Sequence, residues 1–390
     1  MPLHYFDSAA TTWVCPEAAQ AVYDSLRSEF GNPSSGYPLG RAAAARVKEH
    51  RAGLAAALGC APGELFFTSC GTEGDNWAIR AAVAFNHRKG RHIVTTAIEH
   101  AAVLEPIRDL ERQGYEATYL KPDAAGHIDP GQVRAALRPD TVLVSMMLVN
   151  NELGTVLPVA ETARAIRESG CPALLHCDAV QGFLKVPFTP KELGADLLTI
   201  SGHKVHGPKG IGALYVSSSL LSKNPENQAH KIRPLLFGGG QESKLRSGTE
   251  ATAQMAGFAA AAGRYFPSRE ADWARMRELK TYTLRSLKRA LPELAVVSQG
   301  DAPHICAVSL PGYNGENLVR FLGDRDICVS SGSACHKGKP SHVYAALGLP
   351  KAVLSGVLRL SFDPSLTEED ADALVSGLRD AKETLFPAMR

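Results

Sequence analysis

The chain has 390 residues, with 42 Lys and Arg against 40 Asp and Glu for a formal net charge of +2, and it is 45% hydrophobic and 21% charged. That length provides two or three domains, or one large domain with an appendage, and the composition excludes a disordered or fibrous chain. A charge this close to balance excludes, by field alone, a nucleic-acid or polybasic membrane protein.

The first thirteen residues, MPLHYFDSAATTW, have no basic or apolar region of the kind a signal peptide needs. Pro16–Glu29 and Arg41–Leu58 read as helices, the first with Pro16 in its opening turn and the second stopped by Gly59. Apolar runs bounded by turn residues follow at Glu64–Thr68, His92–Thr95, Ala117–Leu120, Thr141–Val149, Ala173–Cys177, Leu197–Ser201 and Ala213–Val216. Helical stretches such as Ala101–Gln113, Pro130–Leu137 and Val159–Ser169 separate many of them. Val142–Val149, the longest strongly apolar run, is far too short to span a bilayer. Ser217–His230, rich in Ser, Asn and Gln, reads as a surface loop.

The texture changes near Glu250. Long helices at Glu250–Arg264 and Ala271–Ala290 precede strand-like runs at Ala295–Val297, Ile305–Leu310, Ile327–Val329 and Val357–Leu360, and a helix over Thr367–Leu385 ends the pattern. Short continuous apolar strands alternating with helices predict an α/β fold whose mostly parallel sheet is covered on both faces. The expected division is a large domain over 1–255 and a smaller α+β domain over 256–390, with residues 1–15 able to pack against the smaller one.

In such sheets ligands bind at the carboxyl ends of the strands. Ala173–Cys177 runs into Asp178, and Leu197–Ile200 into Ser201-Gly202-His203-Lys204. A carboxylate and an amine delivered to one sheet edge suit pyridoxal 5′-phosphate, which takes a lysine on its aldehyde and an acid beside its ring nitrogen. Ser69-Cys70-Gly71-Thr72-Glu73, between a strand and a helix, offers the N–H groups and hydroxyls a phosphate needs. Ser201, His203 and Ser247-Gly248-Thr249 offer more donors, and His100 is a candidate for the ring face. Singly, each has an ordinary structural explanation: a solvated ion pair, a helix cap, a satisfied core histidine or a turn.

The cysteines lie at 15, 60, 70, 171, 177, 306, 328 and 335, with no C-x-x-C pair, so a zinc ribbon or a thioredoxin-type pair is not indicated. Reduced thiols in the cytoplasm are expected. Cys306 and Cys328 sit in apolar runs and read as buried small hydrophobes. Cys335 differs: it follows Ser330-Ser331-Gly332-Ser333-Ala334 and precedes His336, Lys337 and Lys339, so nearby cations favour its thiolate. Arg359, in a strand-like run, could form an ion pair or present a fork to a carboxylate.

Taken in order, Tyr5–Thr12, Gly31-Asn32-Pro33-Ser34-Ser35, Thr68–Glu73, Glu99–Val103, Val149–Gly154, His176–Gln181, Ser201–Lys204, Gly238–Glu242, Arg246–Glu250 and Ser331–Cys335 resemble the motifs of the cysteine desulfurases with a mobile catalytic-cysteine loop, within the class V aminotransferase superfamily. The resemblance implies a fold-type I pyridoxal-phosphate homodimer. It implies that Lys204 carries the cofactor, Asp178 pairs with the ring nitrogen, Gln181 bonds the ring hydroxyl and His100 stacks on the ring. Gly71, Thr72, Ser201 and His203 would hold the phosphate, with Thr249 reaching in from the partner subunit. Asn151 would lie near cofactor and substrate, and Arg359, helped by Asn32, would clamp the carboxylate of L-cysteine. Lys204, His100, Asp178 and Cys335 would carry the chemistry, without a metal. Cys335 would take the sulfur as a persulfide and pass it to an acceptor, an iron–sulfur scaffold or a tRNA-thiolation enzyme.

The sequence departs from the family pattern in a shorter stretch between Cys335 and Ser341, in Lys337 and Lys339, in Tyr37, Cys70 and Phe237, and in an apparent insertion over Ser217–His230. Related readings are a selenocysteine lyase, an aminotransferase that does not use Cys335, and an inactive sulfur-handling scaffold.

Overall fold

The computed structural model describes residues 3–222, 232–332 and 341–387; Cys335 and most of the Ser217–His230 segment lie outside them. Seven strands form the main sheet. From one edge they are Leu65–Thr68, Gly212–Val216, Leu197–Ser201, Leu174–Asp178, Thr141–Ser145, His92–Thr96 and Glu116–Leu120. The last five run parallel, and only Gly212–Val216 is antiparallel to both its neighbours.

Successive strand side chains point to opposite faces, and here both faces are dry. Leu198, Leu175, Val144 and Val94 enter one core with Leu54, Val133 and Phe258. Their sequence neighbours Leu197, Leu174, Leu143 and Ile93 enter a second, with Trp77, Ile79 and Ile107. This is why the strands read as unbroken apolar runs.

A third core lies between the antiparallel sheet Val357–Ser361, Ile305–Ser309 and Ala295–Ser298 and the helices Arg269–Ala290, Gly315–Gly323 and Glu368–Thr384. Phe6 joins this core, and His4–Tyr5 pairs in parallel with Ile327–Cys328. The first residues of the chain therefore pack with its last third. The expected break at 255/256 falls inside the helix Thr252–Tyr265, whose Phe258 and Ala262 belong to the large-domain core.

Three local expectations differ. The run Thr141–Val149 is a strand only to Ser145, yet Leu148 N still donates to Asp178 O, so the chain follows its neighbour past the strand end. The loop expected from Ser217 opens with a short helix, Ser218–Leu221, because Leu220 finds a buried place. Cys306 is buried as expected, but Cys328 is half-exposed, since its strand lies at the edge of a two-stranded sheet. Among the described residues no helix is long and apolar enough to cross a membrane.

Candidate active site

Two adjacent parallel strands deliver an aspartate and a lysine to one sheet edge. Leu174–Asp178 ends on Asp178, whose Oδ1 accepts Val180 N at 2.9 Å. Leu197–Ser201 runs into the tight turn Gly202–Lys204, with Asp178 in register with Thr199. The Lys204 amine donates to Ala9 O and Ala10 O, both at 2.7 Å. Gln181 Nε2 donates to the same Ala9 O at 2.8 Å. His203 Nδ1 lies 3.2 Å from Thr11 Oγ1, and its carbonyl accepts Thr12 N and Thr12 Oγ1 at 2.9 Å. The segment Asp7–Thr12 thus forms a wall along the strand ends.

That wall also meets the opposite domain. Arg359, in the strand Val357–Ser361, is buried, and its Nη2 donates to Asp7 Oδ1 at 2.7 Å and its Nη1 to Asn151 O at 3.0 Å. Its Nε is buried with no hydrogen-bond partner. Lys204, Gln181 and Arg359 are therefore brought together by one N-terminal segment, and Asn151 is held against Arg359.

Burial governs the electrostatics. It lowers the Lys204 amine to about 8, and the positive charge of Arg359 adds to this, while Asp7 and Asp178 pull the other way. Burial, and next the negative charge of Asp75, push the Asp178 carboxyl up. Beneath it, His176 lies 3.4 Å from Asp75 Oδ1 and is held neutral by burial, at about 4. Burial raises Asp75 to about 7 and Glu99 to about 8. His100 caps the helix Ala101–Arg112, its Nδ1 accepting Ala102 N at 3.1 Å, and burial lowers its pKa against the pull of Asp178.

The helix Gly71–Asn86 begins beside these residues. Its N-cap, Cys70, makes no side-chain cap, so the first N–H groups are open. A Cβ on Gly71 would lie 2.9 Å from Val180 Cγ2 and 3.7 Å from Ser201 Cβ, which puts the helix start against Ser201. Ser201 Oγ is buried without a partner, and Thr72 is exposed at the helix start. Two predicted residues are not drawn in. Asn32 makes local bonds only, with Oδ1 accepting Ser34 N at 2.9 Å, and Thr249 is exposed. Cys335 lies outside the described residues.

Sequence reasoning named none of Asp7, Ala9, Ala10, Asp75, Glu99 or His176 as site residues. Asp75 carries a faint signal, since it stands four residues after Gly71 on one helix face. Asp7 lies inside the motif Tyr5–Thr12, but nothing local marks its bond to Arg359, 352 residues away.

A large, mostly parallel sheet with a lysine and an aspartate at adjacent strand ends, and an arginine supplied by a smaller domain, defines an α/β enzyme of the pyridoxal-phosphate type. The aminotransferase class-V family model matches residues 4–374, and the chain belongs to that family. It is 40% identical to a cysteine desulfurase of Trichormus azollae, over 99% of this chain and 94% of that one. It is 38% identical to the cysteine desulfurase IscS of Methanosarcina thermophila, over 95% and 90%. Among solved structures, a NifS-like protein superposes with a TM-score of 0.90 at 32% identity, covering 98% of this chain and all of that one. A structure described as SspA in complex with cysteine superposes at 0.79 and 33% identity, over 93% and 99%.

The family's cofactor is pyridoxal 5′-phosphate, and the residues present fit it. The unpartnered Ser201 hydroxyl and the open helix start suit a phosphate. The raised Asp178 carboxyl suits a protonated ring nitrogen, and the Lys204 amine lies at the same edge.

Proposed function

We propose that this chain converts L-cysteine to L-alanine and takes the sulfur on Cys335 as a persulfide. The observation that carries the reading is the shared wall Asp7–Ala10. It bonds Lys204 on one side and Arg359 on the other, so an amine base and a carboxylate clamp face one space.

When bound, pyridoxal phosphate supplies an electrophilic carbon for an amino group and a ring that accepts carbanion electrons. Asp178 would hold the ring-nitrogen proton, and Gln181 and Asn151 would bond the ring's edge. The neutral His100 would cover its face. Gly71 N–H, Thr72, Ser201 and His203 would hold the phosphate. Lys204, with its pKa near 8, is in part unprotonated near neutral pH and can take the substrate's α-proton. Arg359 fixes the substrate carboxylate, which orients the Cα–H and Cβ–S bonds.

The Cys335 thiolate then attacks the substrate sulfur. An S–S bond forms, the Cβ–S bond breaks, and its electron pair stays on Cβ, which takes a proton. Thiol plus cysteine gives persulfide plus alanine; the sulfur pair is oxidised and Cβ reduced, with no outside redox partner. The persulfide passes to the thiol of an acceptor protein.

The active unit in this reading is a homodimer. Large apolar side chains stand exposed at Tyr23, Leu26, Phe30 and Phe237, the last 80% exposed, which a second copy would cover. Thr249, exposed in one chain, would then complete the phosphate site of the other.

The test incubates the holoenzyme with L-cysteine and follows alanine together with protein persulfide by mass spectrometry. Both are expected in wild type. Lys204→Ala loses the cofactor band and alanine release, and Cys335→Ser keeps the band but forms no persulfide. A persulfide still formed in Cys335→Ser places the nucleophile elsewhere.

A further inference from the structure

We propose that Glu152 is a positioning residue for sulfur transfer: it pins together the two ends of the segment that carries Cys335, Gly332 and Ser341, and ties them to the substrate clamp. The inference rests on the reading of Cys335 as sulfur acceptor, and it concerns one residue that reading leaves without a role.

Glu152 is a buried carboxylate, 1% exposed, in a turn. Its Oε1 accepts the Ser341 hydroxyl at 2.8 Å, and its carbonyl accepts the Tyr344 hydroxyl at 3.3 Å. Ser341 Oγ in turn accepts Val343 N at 3.1 Å, so Glu152 holds the N-cap of the helix His342–Ala346. The other end arrives at the same point. A Cβ on Gly332 would lie 3.0 Å from the Tyr344 ring, 3.1 Å from Glu152 Oε2 and 3.5 Å from Ser341 Cβ. Gly332 also holds φ +101, which side chains rarely adopt. Glycine is thus required there twice, by backbone angle and by the carboxylate against it.

The turn that bears Glu152 also touches the clamp. Asn150 Oδ1 accepts Glu152 N at 2.9 Å, and Asn151 O accepts Arg359 Nη1. On the near side of Gly332, Ser330 and Arg359 exchange backbone bonds, and Ser330 Oγ donates to Gly332 O at 2.7 Å. Residues 150–152 and the strand bearing Arg359 therefore grip one body with both ends of the segment. A carboxylate with one oxygen bonded and Oε2 buried unpartnered is costly unless it has work to do. Burial raises its pKa, against the Ser341 bond and Arg359.

The test separates substrate capture from sulfur transfer. Wild-type, Glu152→Ala and Ser341→Ala holoenzymes are mixed with L-cysteine in single turnover. Capture is read from the change in the cofactor's visible band, and transfer from the appearance of the Cys335 persulfide by mass spectrometry. Capture is expected within twofold of wild type in both variants. Persulfide formation is expected to slow at least tenfold in Glu152→Ala and at least threefold in Ser341→Ala. Persulfide formation within twofold of wild type in Ser341→Ala overturns the proposal, whether or not Glu152→Ala folds. So does a loss of capture equal to the loss of transfer, which makes Glu152 a support of the whole site. If wild type forms no persulfide on Cys335, it is the functional reading that fails.

Discussion

Asp7 Oδ1 stands 2.7 Å from Arg359 Nη2, so the guanidinium proposed to clamp the substrate already holds a carboxylate of the chain. The pairing orients the fork but also cancels part of its charge before a substrate arrives. Asp7→Asn keeps the shape and the accepting oxygen and removes the negative charge. A loss of about 1 kcal/mol of repulsion toward the substrate carboxylate is expected, hence a KM for L-cysteine about fivefold lower. The effect should shrink at high salt. A raised KM in Asp7→Asn would show that orientation outweighs charge at this pair.

Lys204 offers a second measurable consequence. Burial and Arg359 lower its amine from the ordinary 10.5 to about 8, and only the neutral amine can attack an aldehyde. Cofactor-free protein should therefore recombine with pyridoxal phosphate faster as pH rises, with a midpoint near 8, read by stopped-flow absorbance. In Asp7→Asn the midpoint should fall further, since Asp7 is one of the charges that raise it. A midpoint near 10 in the wild type would contradict the buried, neutralised lysine.

These two residues also mark what could and could not be read from sequence. Asp178 and Lys204 were legible because a sheet buried on both faces turns each strand into a continuous apolar run, and the polar residue ending the run announces the strand's carboxyl end. Arg359 was visible as a charge in a strand, but its pairing with Asp7 was not, since no local pattern marks a contact between residues 352 positions apart. Nothing in the sequence marks Asp75 or Glu99 as buried. Only the tertiary structure shows them buried within reach of Asp178. The turn Glu242–Lys244 was hidden too, with φ values of 48, 57 and 69 and no glycine to signal them.

What holds that turn is an ion pair. Arg51 Nη2 and Nη1 reach Glu242 Oε1 and Oε2 at 2.5 and 2.7 Å, and Oε2 also accepts Phe67 N at 2.8 Å. Four residues on, Arg246 pairs with Glu73 at 2.8 Å, so the stretch leading to Thr249 is anchored twice. Removing one partner of a buried, hydrogen-bonded pair costs about 3–5 kcal/mol. Glu242→Ala should lose that much in urea unfolding and should also release cofactor more readily, because Thr249 follows the turn. A loss below about 1 kcal/mol would show that the backbone holds the turn without the pair.

The last relationship joins the two domains behind Lys204. His206, two residues past the lysine, lies 2.8 Å from Asp363, two residues past the strand bearing Arg359, and both are buried. His206 sits at φ 62, with the Tyr265 ring stacked on it at 4.4 Å and Trp13 edge-on at 5.0 Å. Such a backbone angle costs a non-glycine residue about 1 kcal/mol or more and persists only where its surroundings enforce it. Burial raises the Asp363 carboxyl, but the His206 ring 2.8 Å away, with the charge of Lys185, outweighs it and holds it below the usual carboxylate range. A depressed carboxylate stabilises the fold fully above its unfolded value of about 4 and loses that contribution as pH falls toward its folded value. Asp363→Asn should therefore be about 3–5 kcal/mol less stable than wild type at pH 7, with the gap narrowing below about pH 4. The same variant should raise KM for L-cysteine, because the pair sets how the Lys204 turn sits against the Arg359 strand. A stability gap unchanged between pH 7 and pH 3 would show that Asp363 acts through its shape and not through its charge.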